Sequence, residues 1–145
     1  MTETMTTATE LQWTDLTEGR SVSWHFTVTD EDMAAFARLS GDVAPLHMDD
    51  AFARSKGFEG RVVYGALLSA QLSRLVGMEM PGLHGVFAGM KVSFSNPVYV
   101  NRPVTLTATI TDTSEAGGLI VMKVRMTSND KVVAKATVEA VLRNG

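Results

Sequence analysis

The chain contains no cysteine. That excludes disulfides, thiolate nucleophiles and cysteine-based zinc or iron–sulfur sites, and it fits a reducing compartment. Histidine is scarce too: His25, His47 and His84 stand far apart and form no recognisable metal signature, so no metal site is expected. Neither charge sign dominates, with 13 Lys plus Arg against 16 Asp plus Glu and a net charge of -3. Scattered basic residues give no cationic patch for nucleic acid or anionic lipid, and neither partner is expected. The longest apolar runs are broken by Gly, Ser or a charge well short of a bilayer span. Positions 1–7 are polar and Thr-rich with no apolar signal core, so a cytoplasmic location is expected.

What remains is ordinary globular material. At 145 residues and 45% hydrophobic content, the chain has room for one domain with a real core, and is too short for two of ordinary size. The expected division is a flexible N-terminal tail over 1–12 and one folded domain over 13–145.

Positions 21–28 alternate polar with apolar residues, the period of a half-buried strand. Thr29 or Asp30 then caps a helix whose apolar face is Met33, Phe36, Ala37 and Leu39, with Asp32 placed for a capping box if Thr29 is the cap. Gly41 ends that helix, and Pro45 is expected to keep the next residues out of a regular one. Asp49 or Asp50 caps a second short helix over 51–55. Between 64 and 76, Leu67, Leu68, Leu72, Leu75 and Val76 recur at helical spacing, with Ala66, Ser69, Ala70 and Ser73 between them. So much apolar and small surface predicts a buried central helix wrapped by sheet. Strands are predicted over 85–95, 104–113, 119–127 and 132–142, with Gly117-Gly118 and Asn129-Asp130 as hairpin turns. This order describes an α+β single domain with a curved antiparallel sheet around one helix.

The chemistry concentrates in Ser40-Gly41-Asp42-Val43-Ala44-Pro45-Leu46-His47. A carboxylate and an imidazole stand five positions apart in a Gly/Pro-punctuated stretch, followed by the helix entry Gly60-Arg61-Val62-Val63-Tyr64-Gly65. A loop can aim both groups into a cleft, and a helix start offers free N–H groups. That pairing suits proton transfer beside a developing oxyanion, as in an enzyme acting on an acyl compound.

The stretch 36–76 resembles the MaoC-like (R)-specific enoyl-CoA hydratases and dehydratases of the hotdog fold. The similarity continues through Phe94-Ser95-Asn96-Pro97-Val98-Tyr99-Val100, a Phe-x-x-Pro-Val segment, and covers most of 20–142. It implies a single hotdog domain with a curved antiparallel sheet wrapped around a long central helix. It also implies reversible addition of water to a trans-2-enoyl thioester, giving an (R)-3-hydroxyacyl thioester. Asp42 and His47 would hold the water, and the Gly65 N–H or its immediate neighbour would serve as oxyanion donor. Coenzyme A or pantetheine would arrive as part of the substrate, with no other cofactor. The resemblance further implies a homodimer that shares its cleft between subunits, with higher assembly open. Two positions depart from the pattern: Ala44 stands where the family typically has Asn, and Tyr64 where it often has His.

Around the pair, Tyr64, Ala44, Phe58, Val63 and Arg61 are expected to meet the substrate, Arg61 or Arg102 being cations available to a cofactor phosphate. Asp49 and Asp50 read as caps, and His25 and His84 as strand and loop residues. Met78, Met80, Met90 and Met122 suit core filling first and a deformable acyl pocket second. Two alternatives stay open at this point: thioester hydrolysis on the same scaffold, and a non-catalytic acyl-thioester-binding protein.

Overall fold

Strand β1, Ser21–Thr27, turns Trp24 inward and sets Ser21, Ser23 and His25 outward. The computed structural model describes residues 7–144; positions 1–6 of the expected tail lie outside them. Of the remaining tail positions, Thr9 is held. Its N–H donates to the Met78 carbonyl at 3.0 Å, and its own carbonyl accepts from the Leu83 N–H at 2.7 Å.

Helix α1, Asp30–Ser40, starts with the capping box that Thr29 and Asp32 allow. The Asp32 N–H donates to Thr29 Oγ1 at 3.2 Å, and the Thr29 N–H donates to Asp32 Oδ2 at 2.9 Å. Gly41 closes it in the left-handed region at φ 77°, where a Cβ would be strained. Pro45 does not exclude helix here. It occupies the first position of a four-residue turn, α2 at Pro45–Met48, where a missing N–H costs nothing because no intrahelical acceptor exists. Helix α3, Asp50–Ser55, follows with Asp49 as its cap.

Helix α4, Gly65–Arg74, is shorter than the expected span over 64–76, because a π-turn at Leu75–Glu79 takes over from regular α-helix. It buries Leu68 and Leu72 on one face and leaves Ala66, Ala70, Ser73 and Arg74 exposed. One sheet covers one side of a helix, so the small residues meet solvent rather than core. Trp24 of β1 anchors that helix: its Nε1–H donates to Gln71 Oε1 at 2.9 Å, while Arg74 stacks over its ring.

The remaining strands are β2 at Gly85–Phe94, β3 at Pro103–Ser114, β4 at Leu119–Ser128 and β5 at Lys131–Leu142. With β1 they form one antiparallel sheet in the order β1-β3-β4-β5-β2. Alternation sends Leu106, Ile110, Ile120, Met122, Met126 and Val138 to one face, where Leu72, Leu75 and Met33 meet them, all at or near zero exposure. Truncating Leu72 to Ala would cost about 2–5 kcal/mol. The opposite face is polar: between β1 and β3, Ser21 pairs with Thr109 and Ser23 with Thr107 through their hydroxyls, and His25 Nδ1 lies 2.8 Å from Thr105 Oγ1. Among the described residues, no helix is long and apolar enough to cross a membrane.

Candidate active site

The α1 end, the α2 turn and the α4 start converge on His47. Its Nδ1 lies 2.7 Å from the Val62 carbonyl, which can only accept. The Nδ1 proton is thereby fixed, and Nε2 of the neutral ring is left as an acceptor. The His47 carbonyl accepts from Arg61 Nε at 2.8 Å, and the ring stacks on Tyr64 with centroids 4.1 Å apart. Three contacts from the 61–64 segment hold His47, two of them on its half-buried ring and one on its backbone.

Asp42 is held through its backbone. Ser40 Oγ accepts the Asp42 N–H at 3.0 Å and donates to the Phe36 carbonyl at 2.7 Å. The Tyr64 hydroxyl donates to the Asp42 carbonyl at 2.6 Å. The exposed carboxylate uses Oδ1 to accept the Ala44 N–H at 3.1 Å, a local turn that fixes its direction. Ala44 thus enters through its backbone, as the residue before α2.

A cleft of about 360 Å3 opens beside these groups. His47, Phe58, Val63 and Gly65 line it, together with Leu68, Phe94 and the 95–98 segment. Among the sequence-expected site residues, Asp42, Ala44, Tyr64 and Arg61 stand outside that lining. The 95–98 segment is tied to the helix entry by the Val63 N–H donating to the Val98 carbonyl at 2.8 Å. Gly65 opens α4, so its N–H has no intrahelical acceptor and is available at the cleft wall.

Arg61 is engaged within the protein: besides His47, its NH1 meets Asp30 Oδ1 at 2.8 Å, and its N–H donates to Asp50 Oδ1 at 2.8 Å. Arg102 pairs with Glu59 at 2.8 Å. Tyr64 is 2% exposed, and burial, reinforced by the Asp42 carboxylate and opposed by Arg61, pushes its hydroxyl pKa above the ordinary tyrosine value.

Phe94, the first residue of the Phe-x-x-Pro-Val segment, is a wall residue that the sequence did not mark as part of the site. It stands a step of two from Val92 along β2, which sets both on the inner face of the sheet. A wider depression of about 700 Å3 lies on the outer sheet face, lined by Lys91, Lys123, Arg125 and Lys135 with threonines. The strand pairing thus gathers four cations that are scattered along the sequence, and the depression holds no carboxylate–imidazole pair. Among the described residues, no group of three or more His, Cys, Asp or Glu side chains is arranged to hold a metal ion.

Comparison with known proteins gives a consistent picture. The family profile described as MaoC like domain matches residues 15–132. An (R)-specific enoyl-CoA hydratase of Aeromonas caviae is 37% identical over 112 residues, 77% of this chain and 83% of that protein. A second (R)-specific enoyl-CoA hydratase, from Rhodospirillum rubrum, is 30% identical over 119 residues, 82% of this chain and 83% of the relative. The solved structure of the (R)-hydratase from A. caviae involved in PHA biosynthesis matches with a TM-score of 0.84 at 30% identity, covering 88% of this chain and 98% of that one.

Proposed function

The chain belongs to the MaoC-like hydratase and dehydratase family, and from that premise we infer that it is an (R)-specific enoyl-CoA hydratase. It interconverts a trans-2-enoyl-CoA and the (R)-3-hydroxyacyl-CoA. The observation that carries this reading is the orientation of His47. With Nδ1 committed to the Val62 carbonyl, Nε2 is the nitrogen left for a water molecule in the cleft that Gly65 also lines.

In the hydration direction, the Asp42 carboxylate and His47 Nε2 each accept a hydrogen bond from one water; Asp42 takes its proton, and the O–H held by His47 stays on the oxygen. The water oxygen then bonds to C3 as the C2–C3 π electrons move toward the thioester carbonyl. The Gly65 N–H stabilises the enolate oxygen that results. The proton that Asp42 takes from the water goes to C2 on the same face, so the net change is one water added across the double bond. Dehydration runs the same steps backward, with Asp42 as the acid. Phe58, Val63 and Leu68 supply an apolar wall for the acyl chain.

We read the sheet and α4 together as the hotdog arrangement, the sheet curving about the helix. A homodimer with a shared cleft fits it. Strand β2 is an edge strand that carries Val86, Phe87, Met90 and Phe94 exposed by 36–55%, and such an edge favours pairing with a second copy. The absence of cysteine suits a cytoplasmic site of action.

The test is loss of enoyl-thioester absorbance after adding short, medium and branched trans-2-enoyl-CoAs, with chiral analysis of the product. An (R)-3-hydroxyacyl product from the intact protein supports the reading. Thiol release without hydration would redirect it to thioester hydrolysis, and absence of any turnover by folded protein would refute it for coenzyme A substrates.

A further inference from the structure

We propose that Tyr64 is a positioning residue that locks Asp42, His47 and the first turn of α4 into one unit; this rests on the hydratase reading above. Tyr64 lies immediately before Gly65, so its backbone sets where the helix begins. Its hydroxyl donates to the Asp42 carbonyl at 2.6 Å and stands 3.4 Å from Met48 Sδ. The stack on His47 at 4.1 Å and 27° is backed by Phe36, whose ring centroid lies 4.5 Å from that of Tyr64. One side chain therefore touches the base loop with its hydroxyl and the imidazole with its ring.

Tyr64 is 2% exposed and its hydroxyl proton is committed to the Asp42 carbonyl, which separates this role from direct substrate contact. Ala44 has no side-chain polar atom to hold the Asp42 loop. That loop relies on Ser40 Oγ at the Asp42 N–H, the Ala44 N–H at Oδ1, and the tyrosine hydroxyl at the Asp42 carbonyl. Of these, only the tyrosine reaches the loop from a distant part of the chain, 22 positions away. Removing it frees the carboxylate to move relative to His47 while leaving the helix start intact, and small displacements of reacting groups are costly in rate.

Tyr64→Phe and Tyr64→Leu separate the two contacts, since the first keeps the ring and the second keeps neither. The expected result for Tyr64→Phe is a kcat lowered about tenfold, the scale of one lost neutral hydrogen bond, with KM nearly unchanged. Its Ala44 amide should exchange faster with solvent while the 15N NMR pattern of the His47 ring keeps the Nδ1-protonated form. Tyr64→Leu should lower kcat further, by roughly a hundredfold, and disturb the His47 ring 15N pattern as the stack is lost. Parental kcat in Tyr64→Phe, or a raised KM at unchanged kcat, would overturn the proposal. So would loss of activity that only tracks loss of folded protein, with Ala44 exchange and the His47 ring 15N pattern unmoved. The two NMR readouts need no turnover, so failure of the hydratase reading itself would be seen separately, as an inactive parent protein.

Discussion

The ring of Phe94 lies so close to Gly65 that a Cβ on the glycine would stand 2.9 Å from Cζ and 3.0 Å from Cε2. Two demands therefore meet at one glycine: room for the ring, and room for a thioester oxygen at the N–H. Gly65→Ala should lower stability by about 1–3 kcal/mol as the ring is forced aside. It should also lower kcat by about a hundredfold or more, because the carbonyl can no longer approach the amide. Adding Phe94→Ala relieves the first demand and not the second. The double variant should regain the stability lost to Gly65→Ala, measured by thermal unfolding against Phe94→Ala alone, and remain inactive. Recovery of near-parental kcat would mean that the ring, not the oxyanion, explains the glycine.

Asp42→Asn tests the carboxylate with little disturbance of its surroundings. An amide oxygen can still accept the Ala44 N–H that Oδ1 now accepts, and the backbone bond from Tyr64 is untouched. Folding should survive, while general base catalysis is lost and kcat falls about 10²–10⁴-fold. Circular dichroism and steady-state hydration of an enoyl-CoA decide it. A folded variant retaining more than a tenth of parental kcat would remove Asp42 from the chemistry.

Arg61 separates two roles for a cation near a thioester site. If it held a substrate phosphate, its replacement would raise KM. Its Nε and NH1 are instead committed to the His47 carbonyl and Asp30. Arg61→Lys keeps the charge and loses the two-armed geometry. The expected effect is therefore on kcat, about threefold to tenfold, through a less fixed His47, with KM nearly constant. A raised KM at constant kcat would restore the phosphate role.

Local rules made much of the fold legible. Thr29 with Asp32, Gly41 after α1, and Asn129-Asp130 at the last hairpin each act within four residues. The structure has the capping box, the left-handed cap and the positive φ angles, 52° and 61°, that those residues suit. The turn at Asp42 follows the same kind of rule, its carboxylate accepting the Ala44 N–H two residues on. What escaped depends on distant partners. The Tyr64 hydroxyl meets a carbonyl 22 positions away, and Phe94 reaches Gly65 only because β2 is paired with β5 beside α4. Neither composition nor periodicity carries that information. The small residues of α4 misled in another way: Ala66, Ala70 and Ser73 suit close packing and exposure equally, and a single sheet left them exposed.

The free edge of β2 makes the proposed dimer testable at a few side chains. Met90 is 55% exposed and Val86 49%, on a strand paired on one side only. A charge there should block a second copy from adding to the edge while leaving the protomer folded. Sedimentation velocity of Met90→Lys should therefore show monomer where the parent shows dimer, with turnover lost if the cleft is shared. A parental dimer unaffected by Met90→Lys and Val86→Lys would move the interface away from this edge. A monomeric, active parent would remove the shared cleft altogether.

Burial, followed by the Asp42 carboxylate, raises the Tyr64 pKa above 10.0, with Arg61 acting in the opposite direction. Below that value tyrosine is neutral in both states and contributes no pH dependence. Above it, the unfolded chain releases the Tyr64 proton while the folded chain still retains it. The unfolded state then binds fewer protons than the native one, so stability falls as pH rises until the folded-state pKa is passed. Urea unfolding from pH 7 to 11 should show this decline in the parent protein. In Tyr64→Phe the decline should be shallower, although that variant starts from lower stability at pH 7 for want of the bond to the Asp42 carbonyl. Parallel declines in the two proteins would show that the hydroxyl ionises as easily folded as unfolded, contrary to its burial between Phe36 and His47.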